Sequence, residues 1–290
     1  MTTGTSRTSI SVGEGLTASN PVRVFAAVQP YPDLPGRHIH PTFEIGVLLS
    51  GQTDRYLEDL MIRLEAGDVY LSPACEPHGW RAVAPGTILL VVYFLPQFLG
   101  EETFEGSLWL SLFARPASDR PRVTGPEMRE RVLEIAHGLD QESRHQQPGW
   151  RTSVRLGILQ LLFTISRGWH PASQEERQRA AHSSDLVRVM PAIRLMQSSP
   201  GRRIGLAEAS AACSLSPSRF SLIFRRAMGG SFGRFALRSR VGSAAELLLT
   251  SDLSVAALAG KFGFADASHF HRAFVKLYER TPADYRREGQ

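Results

Sequence analysis

Three histidines and a glutamate stand close together in the first third of the chain. His38 and His40 are separated by one residue, Glu44 follows, and Gly67, Pro73 and His78 continue the pattern after Gly51. Side chains alternate between the two faces of an extended strand, so His38, His40 and Glu44 fall on one face. His78 would arrive from a neighbouring strand. Three imidazoles and one carboxylate converging inside a small barrel form a donor set for a divalent transition metal such as Fe, Mn, Zn, Ni or Cu. The same four side chains can instead line the pocket of an organic effector, or stay inert in the core. Trp80, Arg81, Phe43 and Tyr56 are further pocket candidates, and such an aromatic and polar lining suits a sugar, a polyol or a small acid.

A second set of residues lies near the C-terminus. Leu206–Met228 and Val255–Tyr278 repeat one pattern imperfectly: a helix of small residues, a tight turn, and a second helix with paired aromatics. In the first copy Ser216 is a good N-cap and Pro217 fits the first helical position. Phe220, Ile223, Phe224 and Ala227 then share a buried stripe, and Gly229-Gly230 ends the helix. In the second copy Val255, Leu258 and Ala259 face inward and Gly263 permits the turn. A helix starting near Asp266 buries Phe270, Ala273, Phe274 and Leu277. Ser268, His271 and Arg272 share its outward face. Each copy reads as a helix-turn-helix whose second helix enters a major groove.

The C-terminal segment resembles the DNA-binding domain of the AraC/XylS family of bacterial transcription regulators. The resemblance rests on Ala259, Gly263-Phe264, Asp266, Ser268-His269-Phe270, Arg272, Phe274, Thr281-Pro282 and Tyr285-Arg286. It departs at Tyr278-Glu279, where the family usually has Phe-Gly, and at Ala265, where Ser is common. Both departures imply altered local packing. The resemblance implies that Ser218, Ser221 and Leu222 read bases from the first recognition helix and that Ser268, His271 and Arg272 read them from the second. Leu222 stands where relatives often place Arg; it cannot bond guanine but can touch a thymine methyl. Arg219, Arg225 and Arg226 are placed for phosphates, which fix register without reading sequence.

The stretch His38–His78 resembles the paired motifs of the cupin superfamily, with all four ligand positions filled. Cys75 replaces the usual turn glycine and Ala82 stands where Asn often follows. In AraC-like regulators such barrels commonly bind effectors with no metal.

The elements that must position these residues are legible in outline. Val22–Val28, Glu44–Leu49, Thr53–Leu57, Asp68–Leu71 and Thr87–Leu95 are short apolar or β-branched runs punctuated by Gly and Pro, as in a sandwich or small barrel. Pro126–Leu139 and Trp150–Trp169 carry helical stripes, the second through Val154, Ile158, Leu161, Leu162 and Ile165. The expected organisation is a flexible arm over 1–20, a barrel over 21–100, and a helical support and dimerisation region over 101–169. A polar linker over 170–185 and an all-α DNA-binding domain over 186–290, with a helix over Phe232–Leu249 joining its two units, complete it. The fold class is α+β.

Charge is divided along the same boundary. Residues 186–290 hold 16 Arg and Lys against 7 Asp and Glu, whereas the first 185 hold 17 against 21, within a net charge of +5. A basic C-terminal domain points to a polyanionic partner. Two cysteines in different halves offer no disulfide framework, and the longest apolar run, Ile88–Leu95, is too short to span a bilayer. The expectation is a cytoplasmic, non-enzymatic regulator, an activator in the leading form. Its partners are double-stranded promoter DNA, RNA polymerase, a small-molecule effector and a second copy of the chain, without a membrane. The competing readings are a cupin metalloenzyme (isomerase or dioxygenase) with an appended basic domain, and a constitutive regulator whose barrel only dimerises.

Overall fold

The computed structural model describes residues 16–29, 31, 36–57, 60–100, 108–168, 183–199 and 201–289. Residues 1–15 of the expected arm over 1–20 and 170–182 of the expected linker over 170–185 lie outside them. Eight strands precede the helices: β1 Val22–Val28, β2 Gly36–His38, β3 Phe43–Ser50, β4 Gln52–Leu57, β5 Leu60–Glu65, β6 Val69–Ser72, β7 His78–Ala82 and β8 Ile88–Phe94. They form two four-stranded antiparallel sheets, ordered β1-β8-β3-β6 and β2-β7-β4-β5. The five expected runs are β1, β3, β4, β6 and β8. Sequence reading missed β5, and it gave no bounds to β2 and β7, the strands it invoked for His38 and His78. β2 is three residues long, β7 (HGWRA) has no β-branched residue, and β5 is largely solvated and intersperses Arg and Glu among its apolar residues.

The first sheet is buried on both faces, which explains the unbroken apolar run of β8. Its inward residues, Leu48, Tyr70, Leu89, Val91 and Tyr93, fill the barrel together with Leu64. Its outward residues, including Phe43, Ile45, Val47, Val92 and Phe94, pack on helices. Those helices are α1 Pro96–Leu99, α2 Leu108–Phe113, α3 Pro126–His145 and α4 Trp150–Gly168. α3 runs beyond the expected Leu139 to a left-handed C-cap at Gln146, because its last turns are polar and carry no apolar stripe to read. On α4 the whole predicted stripe is buried.

The C-terminal half comprises α5 Ser183–Gln197, α6 Leu206–Ala212, α7 Pro217–Met228, α8 Phe232–Thr250, α9 Val255–Lys261, α10 Ala267–Tyr278 and α11 Pro282–Gly289. The repeat is visible in the helix lengths: α6 and α9 have 7 residues each, and α7 and α10 have 12 each. Ser216, Ser231, Ser254 and Asp266 cap α7, α8, α9 and α10 through their side chains. Two expectations are corrected. The domain starts earlier than residue 186, since α5 begins at Ser183 and Asp185 is buried. On α10 the deeply buried residue is Tyr278, stacked on Phe274 at 4.5 Å, whereas Leu277 is only half-buried.

The two helix-turn-helix units sit on different cores. Phe220, Ile223 and Phe224 of the first unit belong to one continuous apolar cluster that also contains Trp109 and Phe113 of α2 and the outward face of the first sheet. Phe264, Phe270 and Phe274 of the second unit form a separate cluster with α8, and one barrel residue, Ile39, is buried in it.

One close contact in the barrel decides how its interior is filled. A Cβ on Gly46 would lie 2.0 Å from the Tyr70 ring, so the bare glycine is what lets that ring lie across β3. Gly46→Ala is expected to lower stability by about 1–3 kcal/mol, as overpacking of a filled core does. Gly138→Ala in α3, where an added Cβ meets nothing within 4 Å, should raise it by about 0.5–1 kcal/mol. Urea unfolding of both variants against wild type measures the contrast.

Candidate functional site

Glu44 is the centre of the polar end of the barrel. It projects inward from β3, 1% exposed, opposite Ser72 of β6 and Tyr93 of β8. Its Oε2 lies 2.7 Å from His40 Nε2 and 3.0 Å from His78 Nε2. Its Oε1 accepts a hydrogen bond from the Tyr70 hydroxyl at 2.5 Å and lies 3.4 Å from Arg55 Nη2. The Arg55 guanidinium also bonds Ser72 Oγ at 2.7 Å and sits 3.8 Å above the Tyr70 ring. Burial pushes the Glu44 pKa up, but His78 and Arg55 outweigh it and hold the carboxyl well below its ordinary range.

The imidazoles are oriented by backbone. His40 Nδ1 faces the Thr42 carbonyl and hydroxyl oxygens at 3.0 and 2.8 Å, and His78 Nδ1 faces the Glu76 carbonyl at 2.8 Å. A ring nitrogen facing a carbonyl carries its proton there, so in the neutral ring Nε2 is the lone-pair side. Both Nε2 atoms converge on one carboxylate oxygen, where either a ring proton or a bound cation can sit between nitrogen and oxygen. His40 Nε2 is hydrogen-bonded to that oxygen, and His78 Nε2 approaches it to 3.0 Å. His40, Glu44 and His78 offer donor atoms within 4.8 Å of one another. That is the local pattern of a metal-ligating histidine pair, with the second ring nitrogen tied to a carbonyl.

Not every predicted site residue joins this centre. His38 is outside the three-residue cluster: its ring stacks on Trp80 at 4.5 Å, and its buried Nδ1 has no partner. Trp80 and Arg81 are neighbours on β7, so they cannot share a face. In the strand register Trp80 lies opposite Arg55, while Arg81 lies opposite Asp54. Arg81 therefore belongs outside the barrel, where it and Arg63 both pair with Asp54. Tyr56, next to Arg55 on β4, has the outward parity too. Phe43 turns away from Glu44 and packs at 5.5 and 5.1 Å on Trp109 and Phe113. Cys75, standing at the turn-glycine position, takes the left-handed conformation at φ 62°. Sequence reading missed Arg55, Tyr70, Thr42 and Ser72. Parity alone marks Arg55, which shares the inward face of β4 with Thr53 and Leu57.

The helical domain exposes the residues read from its outward faces. Ser218, Arg219 and Arg225 of α7 and Ser268, His271 and Arg272 of α10 are exposed, and Leu222 is 50% exposed despite its size. Ser221 is half-buried and its hydroxyl donates to the Pro217 carbonyl at 2.8 Å. Arg226, expected at phosphate, instead pairs with Asp185 of α5, a residue that sequence reading assigned to the linker.

Comparison with known proteins follows the same division. Residues 24–93 match the family model of the Cupin domain, and residues 209–288 match that of a Helix-turn-helix domain. Over 249 residues the chain is 24% identical to the HTH-type transcriptional activator RhaR of Yersinia pestis bv. Antiqua, covering 86% of this chain and 83% of that one. A 74-residue stretch is 40% identical to the Regulatory protein PocR of Salmonella typhimurium, over 26% of this chain and 24% of PocR. The fold is similar to that of ToxT from Vibrio cholerae O395, with TM-score 0.59, 10% identity, and coverage of 91% and 96% of the two chains. Among the described residues no helix is long and apolar enough to cross a membrane.

The barrel site predicts a pH dependence of stability. Burial, with His78 beside it, pushes the His38 imidazole from 6.5 down to about 3, and burial with Arg55 lowers His78 as well. An imidazole with a depressed folded pKa binds its proton more readily when unfolded. Its contribution to stability is therefore complete above about pH 6.5 and is lost as the pH falls towards 3. The depressed Glu44 acts in the same direction, complete above its unfolded value of about 4.3 and lost below it. The urea midpoint should thus decline as pH is lowered from 6.5, and His38→Leu should flatten the decline between pH 6.5 and 4. A midpoint unchanged over that interval in wild type would contradict the assignment.

Proposed function

We propose, from the premise that the chain is an AraC-type DNA-binding transcription regulator with a cupin domain ahead of its helix-turn-helix units, that its barrel senses a small molecule and its two recognition helices read a promoter. The observation that carries the reading is the pair of matched helices α7 and α10 with exposed outward faces. On DNA, Ser218 and Leu222 face bases in one major-groove segment and Ser268, His271 and Arg272 in the next. Arg219 and Arg225 hold phosphates, and Ser221 has a lesser part because its hydroxyl is occupied by its own helix. The regulator acts in the cytoplasm as an activator that engages RNA polymerase. Leu156 and Phe163 of α4, 62% and 41% exposed, support pairing of two copies through this helix.

The effector class follows from Arg55. Its Nε and Nη1 are buried without a hydrogen-bond partner, a costly arrangement that an oxygen acceptor on a ligand would relieve. A sugar, polyol or small acid brings such oxygens, and the Trp80 indole beside His38 offers it an aromatic face. The second reading places a divalent transition metal on His40, Glu44 and His78, favoured by the three ligand atoms meeting within 4.8 Å of one another. When bound, such a metal would supply a Lewis-acid centre for an effector oxygen. A permanently held ion carries no signal unless it also holds the effector. The metalloenzyme reading rested on four converging ligands, of which three converge here, and the family likeness supports the regulator.

Three measurements test these statements. Binding of full-length protein to the DNA upstream of its own gene should weaken steeply with salt, log K falling by about 0.9 per phosphate neutralised for each unit of log salt. Arg272→Ala should relax base preference at one position at a cost of about 1–3 kcal/mol, whereas Arg225→Ala should weaken all sequences alike and lower the salt slope by about 1. Equal, uniform losses for both would reassign Arg272 to phosphate. Elemental analysis of tag-free protein decides the barrel: about one transition metal per chain, lost in His40→Ala, establishes the metal reading. Metal-free protein that loses only its inducer response in the same variant establishes the pocket.

A further inference from the structure

The segment that carries His38 and His40 faces two ways. His40 lies against Glu44, and the intervening Ile39, 1% exposed, is buried in one apolar cluster with Phe274 and Tyr278 of the second helix-turn-helix unit and Val241, Ala244 and Leu248 of α8. Backbone contacts fasten the same residues. The Tyr278 hydroxyl donates to the Ile39 carbonyl at 3.1 Å, and Gly242 of α8 lies so close to that carbonyl that a Cβ there would stand 2.5 Å from its oxygen. Gln197 of α5 donates to the Pro41 carbonyl at 2.7 Å. The His40 carbonyl accepts from the Cys75 amide at 2.8 Å, and the Cys75 thiol is hydrogen-bonded to Ser239 of α8. Tyr278 closes the helix whose outward face carries Ser268, His271 and Arg272.

The two units are held differently. The first shares a continuous apolar core with α2 and α5, whereas the second meets the barrel through Ile39 and its hydrogen bonds. Packed side chains have discrete arrangements and do not deform smoothly. A shift of His40 within the barrel must therefore carry Ile39 in or out of its socket.

We propose that His38-Ile39-His40 is a coupling plug through which the state of the barrel site sets the docking of the second helix-turn-helix unit, while the first unit stays fixed to the barrel. This rests on the barrel being a ligand site. Seated, the plug holds α10 at one position relative to α7 and therefore favours one spacing of the two half-sites. Withdrawn, it frees α9–α11 about α8. The ligand signal then appears at one half-site only.

Amide hydrogen exchange of full-length protein, resolved by peptide, tests the plug. Glu44→Gln removes the charge that draws His40 inward, and should change exchange of residues 255–289 by about fivefold or more, the lower end of ordinary coupling between sites. Residues 206–228 should stay within twofold. Adding Zn2+ to wild type as a probe should alter the same 255–289 region if the ion binds. Tyr278→Phe should make residues 255–289 exchange faster and abolish the further response to Glu44→Gln. Coupling is reciprocal, so Tyr278→Phe alone should also change exchange over residues 36–44. That readout stands even where Glu44→Gln fails to fold. Equal changes in both units, or no change in 36–44 on Tyr278→Phe, would overturn the plug. A plug that responds to Glu44→Gln in a protein with no inducer response would instead retire the sensor reading and leave the coupling intact.

Discussion

The Glu44 carboxylate is almost wholly withdrawn from water, and a buried negative charge persists only where donors and opposite charge surround it. Meeting that demand recruits most of the barrel. β4 supplies Arg55, β6 supplies Tyr70 and Ser72, β7 supplies His78, and the link between β2 and β3 supplies His40. β3 itself gives up a side chain at Gly46 so that the Tyr70 ring can reach across. Truncating one member of such a buried ionic group typically costs about 3–5 kcal/mol, because the remaining charge is left unpaired. The two sheets are thus held together by electrostatics around Glu44 and by an apolar cluster of Leu48, Leu89 and Val91 from the first sheet with Leu64 from the second.

That constraint propagates beyond the barrel because the residue between the two histidines serves another domain. Among the described residues, sensing and DNA-binding parts share one apolar core. Asp185, before the expected start of the helical domain, pairs with Arg226 at the end of the first recognition helix, and the apolar core runs on from α2 into α5 and α7. Linkers and surfaces keep domains apart in many regulators, but here packing joins them. The first unit shares its apolar core with the outer face of the first sheet.

Residue pattern made most of the fold legible, and the failures have local causes. The helical repeat was readable because its caps, turns and aromatic stripes recur at fixed spacing, and Ser216, Pro217, Gly263 and Asp266 all hold the positions their chemistry suggests. His40, Glu44 and His78 do come together as expected, although His40 lies in the link between β2 and β3, where strand parity does not apply. His38 was misplaced because parity says which face a side chain takes and nothing about how far along the barrel it lies. Trp80 and Arg81 could have been separated by the same parity, since adjacent strand residues never share a face. Arg55 and Tyr70 escaped notice because a buried arginine is rare, and no local pattern announces a cation over an aromatic ring. Tyr278 shows the other limit. Its departure from the family pair was visible, but its partner Ile39 lies 239 residues away.

The same packing pushes both thiols up but buries them unequally. Cys75, buried and held at a left-handed turn, has its thiol pushed up to about 12 by burial, so almost none of it is thiolate at neutral pH. Thiolate is the reactive form, and this one is both scarce and shielded from reagents. Cys213 sits half-buried in the turn just ahead of α7, with a smaller upward displacement. The unaltered chain therefore carries one alkylatable handle next to its first recognition helix. A fluorophore or spin label placed there reports on that helix without any engineered cysteine.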